Sequence, residues 1–185
     1  PGTEAKDALQ KTAEMPRQAV GRITGMADCV WETKGLGIRN WGLDKRARGE
    51  GGRESDSPLS PLHSPLVHLG DTLALRSGLL EITYDTGATV LLQGPVKYEV
   101  ESAAGGFLTL GKLTARLDGH SEIPSQKSEI INHQFAVRTP TAIVTDLGTE
   151  FGVEVNPQGD TSSYVFRGSV RLQSVAGKEK TQAVD

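Results

Sequence analysis

The chain has 185 residues, a net charge of −3 and a pI near 5.8, so it lacks the basic footprint of a nucleic-acid-binding domain. Hydrophobic residues make up 36% of it, and no run of about 18 apolar residues exists to span a membrane. A single cysteine, Cys29, excludes an internal disulfide, and 22 Gly with nine Pro point to many turns and few long helices.

Residues 3–15 read as a short helix. Thr3 suits the N-cap, Glu4 suits the first turn, and Pro16 follows the end. Residues 1–25 are therefore expected to be a helical segment, and 26–34 to hold a first strand, Met26-Ala27-Asp28-Cys29-Val30-Trp31. The chain opens on Pro1 and not Met, as expected of a piece cut from a longer protein with its targeting segment upstream. Residues 35–65 are dense in Gly, charge and Pro, which predicts a flexible polar insertion.

From Leu66 onward apolar and polar residues alternate. Leu80, Ile82 and Tyr84 share one face and Glu81 and Thr83 the other; Ala88, Val90 and Leu92 repeat this. Val96, Tyr98 and Val100 alternate with Lys97, Glu99 and Glu101, and Leu113, Ala115 and Leu117 with Thr114, Arg116 and Asp118. Phe151, Val153 and Val155 follow the same rule, then Val170 and Leu172. A period of two with one apolar face predicts half-buried antiparallel strands. Residues 66–175 are thus expected to form an all-β domain of about ten strands in two packed, mainly antiparallel sheets, a sandwich or a short β-helical roll. Residues 176–185 read as a C-terminal linker. A weak repeat of Gly, spacer, apolar, spacer, apolar recurs at Gly78, Gly111 and Gly168, at unequal intervals that argue against a regular solenoid.

Few residues carry chemistry. Asp85-Thr86-Gly87-Ala88 resembles the catalytic loop of retropepsin-like aspartic proteases, in which paired carboxylates share a proton. That resemblance also needs a downstream apolar-apolar-Gly segment followed by a short helix, and the nearest candidate, Thr145-Asp146-Leu147-Gly148, has Asp where an apolar residue belongs, so a hairpin turn is the favoured reading. Asp146 and Glu150 flank another Gly turn without the oxygen ligands that Ca²⁺ needs. His63, His68, His120 and His133 show no metal-ligand spacing, and Cys29 reads as a packed thiol. No catalytic, cofactor-binding or metal residue is assigned, and no cofactor is expected.

Several ordered segments resemble the FecR domain family. They are Leu69-Gly70-Asp71-Thr72-Leu73, Ser77-Gly78-Leu79-Leu80-Glu81-Ile82, Gly87-Ala88-Thr89-Val90-Leu91-Leu92-Gln93-Gly94-Pro95 and Phe135-Ala136-Val137-Arg138-Thr139-Pro140. Val144-Thr145-Asp146-Leu147-Gly148-Thr149-Glu150-Phe151-Gly152-Val153 and Val165-Phe166-Arg167-Gly168-Ser169-Val170 complete the series, which looks most like a planctomycete-type branch. The resemblance makes Gly78, Gly94, Pro95, Thr139, Pro140, Asp146, Gly148, Thr149, Glu150, Phe151 and Gly168 structural signatures, and Asp85 a turn residue. It implies the soluble, periplasmic part of a membrane-anchored, non-enzymatic regulator. Such a part takes a signal from a transporter's signalling domain or another protein, and passes it to an extracytoplasmic-function sigma factor. The insertion at 35–65 and a polar break at 118–133 depart from the family pattern.

A sheet's edge strands can accept a strand from a partner, and Lys97, Glu99, Glu101, Arg116 and Arg171 are candidates for guarding such edges against self-pairing. The alternative reading is a carbohydrate- or ligand-binding module, for which Trp31 and Trp41 are the candidate aromatic platform. The aspartic protease through Asp85 stands behind both.

Overall fold

The computed structural model describes residues 17–32, 65–117 and 134–184. Ten strands follow in chain order: β1 (Ala19–Trp31), β2 (Leu66–His68), β3 (Thr72–Tyr84), β4 (Ala88–Ser102), β5 (Gly105–Leu117), β6 (Ala136–Arg138), β7 (Ala142–Asp146), β8 (Glu150–Val155), β9 (Thr161–Ser174) and β10 (Glu179–Val184). The described residues are all β, with no helix. The helix expected at 3–15, most of the insertion at 35–65 and the break at 118–133 lie outside them.

Every pairing is antiparallel except that of β5 with β6. The ladder runs β10-β9-β7-β6-β5-β4-β3-β1-β2, and β8 pairs with both β5 and β9. Strands β5, β6, β7, β9 and β8 therefore close a ring. In place of two separate packed sheets, the chain forms one ladder that ends in a five-strand barrel with further strands attached. The closure follows from the hairpin of β7 and β8 against β9, because β8 also reaches β5.

The alternation seen in the sequence sets the inner faces. Leu80, Ile82, Tyr84, Val90, Leu92, Tyr98, Leu113, Phe151 and Val153 all lie in one buried cluster. Tyr84 and Phe135 meet edge to face at 5.3 Å, the geometry preferred by ring quadrupoles.

The weak glycine repeat marks where long strands bend. In β3 the inward residues are Leu73 and Leu75 before Gly78, but Leu80, Ile82 and Tyr84 after it. The extra residue reverses the face, as a β-bulge does. Gly78 has φ 95° and Gly111 φ 98°, and an added Cβ would strike the Asp28 carbonyl at the first and the Pro95 carbonyl at the second. Only glycine fits both the backbone and the close approach. Register shifts at these residues interrupt β3 against β4 between Leu75 and Leu79, and β4 against β5 between Gln93 and Lys97.

Three boundaries differ from expectation. The first strand begins at Ala19, well before Met26, because Val20 and Ile23 are buried there. The stretch read as a C-terminal linker contains β10, which pairs with β9 from Glu179 to Val184. The described part of residues 66–175 holds eight strands, β2 to β9, where about ten were expected for the whole range.

Candidate protein-binding edges

The residues singled out as structural signatures sit at bends, turns and strand starts. Asp146 ends β7 and is almost fully buried. Its Oδ1 accepts the Gly148 N–H at 2.9 Å and the Thr149 hydroxyl, while Oδ2 has no hydrogen-bond partner among the described residues. This turn lets the chain break and resume as β8 at Glu150 and Phe151, with both halves still paired to β9. Thr139 is buried between β6 and β7; its hydroxyl accepts the Ala142 N–H at 3.0 Å and meets the Thr161 hydroxyl at 2.7 Å. Pro140 follows where the ladder stops, and Gly94-Pro95 is a cis peptide at the bend of β4. Gly168 lies against Thr149, joining the two signature segments.

Asp85 lies exposed in the tight turn joining β3 to β4, where the Gly87 N–H donates to the Tyr84 carbonyl at 2.9 Å. Thr86 ties the same turn to the Ala103 carbonyl. His63, His120, His133 and Trp41 lie outside the described residues. Among the described residues no group of three or more His, Cys, Asp or Glu is placed to hold a metal ion. Cys29 is half-buried and donates to the Leu79 carbonyl at 2.9 Å. Burial pushes its thiol pKa up, which disfavours the reactive thiolate.

Two buried polar groups had no distinct signal in the sequence. Asp71, 4% exposed, accepts from Arg17 Nη1 at 2.6 Å and from the His68 N–H at 2.8 Å. It thereby clamps β2 and the chain before β1 onto the sheet. The Tyr84 and Tyr98 hydroxyls share a hydrogen bond of 2.8 Å inside the core. Burial pushes both phenols well above the usual tyrosine range, so neither releases a proton at neutral pH.

The edges fall elsewhere than the charge pattern suggested. Lys97, Glu99 and Glu101 are on β4 and Arg116 on β5, both of which have neighbours on either side. Arg171 lies where β9 is flanked by both β7 and β10. Lys97, Glu99, Arg116 and Arg171 therefore guard no edge, and Glu101 lies just past the last pair of β4 with β3, Thr72↔Glu99. Glu101 instead binds Arg138 at 2.7 Å, and Arg171 binds Glu179 at 3.3 Å. Among the described residues, β10 and β2 are the ends of the ladder, each with a strand on one side only, and β1 pairs with β2 over only a short stretch.

The first half of β9 carries two exposed aromatics. Tyr164 is 49% exposed and Phe166 57%. A register shift beside Phe151 gives β9 an extra residue opposite β8, and Phe166 turns out over Gly152. Trp31, by contrast, packs half-buried against the core.

No protein-family model matches the chain, and comparison with curated proteins and with solved structures finds no similar protein.

Proposed function

We propose that this chain is the extracytoplasmic, periplasmic sensory or adaptor part of a membrane-anchored regulator of the FecR type. It binds another protein and passes that state, through an anchor outside the described residues, to an extracytoplasmic-function sigma factor. The observation that carries protein binding is the open backbone at the ends of the ladder, which can hydrogen-bond a strand from a partner. The FecR context rests on the resemblance. The segments that carry it, from Gly78 through Gly94-Pro95 to Asp146–Phe151 and Gly168, supply the bends and turns of one continuous ladder. No enzymatic step and no cofactor enter this reading.

Deletion of the region encoding residues 66–175 in the native host tests it. Transcription of the associated sigma regulon is expected to lose its response to inducing conditions. Unchanged transcription in both conditions removes the regulatory reading. It would favour a ligand-binding module instead, a reading that the exposed Tyr164 and Phe166 beside Gly152 support.

A further inference from the structure

We draw no further inference here: the strongest candidate, the outward face of β8 and β9 where the exposed Tyr164 and Phe166 lie beside Gly152, is an unpartnered sheet face, and nothing in the structure shows what covers it.

Discussion

At the β1–β2 end of the ladder, Val20, Ile23 and Val67 are buried, and Asp71 ties Arg17 and His68 to the same corner. At the β9–β10 end, no residue of β10 is buried. Both ends are held by backbone pairing, but the first is also held by buried side chains, whereas the second adds only the exposed Arg171–Glu179 ion pair. Backbone hydrogen bonds exchange with water at little net gain, about 1 kcal/mol each, so a strand's attachment depends mainly on what it buries. One end is therefore part of the core, whereas the other is a polar flap on an ordered sheet.

The sharpest way to test that contrast is a truncation of buried volume. Ile23→Ala is expected to lower stability by about 2–4 kcal/mol in denaturant unfolding, while Thr181→Ala in β10 should stay within about 0.5 kcal/mol. Similar losses at both sites would abolish the distinction. A smaller effect is expected at the polar clamp. Asp71→Ala leaves the His68 N–H without its acceptor and should cost about 1–3 kcal/mol. The loss should show as faster hydrogen exchange in β2 before any other strand.

Alkaline pH probes the core beside β1 through Tyr84, which pairs with Gly21, and Tyr98. Both phenols are raised when folded, whereas unfolded tyrosine ionises near pH 10. Their contribution is therefore complete below about pH 10 and is lost as the pH rises, by up to about 1.4 kcal/mol per pH unit for each. Unfolding midpoints should fall more steeply above pH 10 in the native chain than in Tyr84→Phe. The smallest effect belongs to β10. Truncation after Lys178 should cost about 1 kcal/mol or less and speed exchange only in the second half of β9, as read by mass spectrometry.

The strands that alternate cleanly were legible because a period of two depends only on local order. Leu80, Ile82 and Tyr84, or Val96, Tyr98 and Val100, needed no knowledge of their neighbours. The start of β1 was less so, since Gly21 and Gly25 dilute the pattern around Val20 and Ile23. β10 was hidden because it buries nothing and so has no apolar face to display. The exposure of Phe166 had no signal in the sequence, because a bulge shifts the phase and is visible only against the strand opposite it.

The candidate site divides in the same way. The sequence alone determined that residues 66–175 are all β wherever they are described and that Gly78, Gly111 and Gly168 are special, since backbone freedom and side-chain alternation are local properties. It also determined which segments resemble the FecR domain. Which strands are edges was decided only by the tertiary structure. Lys97 and Glu99 look like guards until β4 is found between β3 and β5. An edge is defined by the absence of a neighbour. Neighbours in a ladder are set by pairings between distant parts of the chain, which hydrophobic periodicity does not encode.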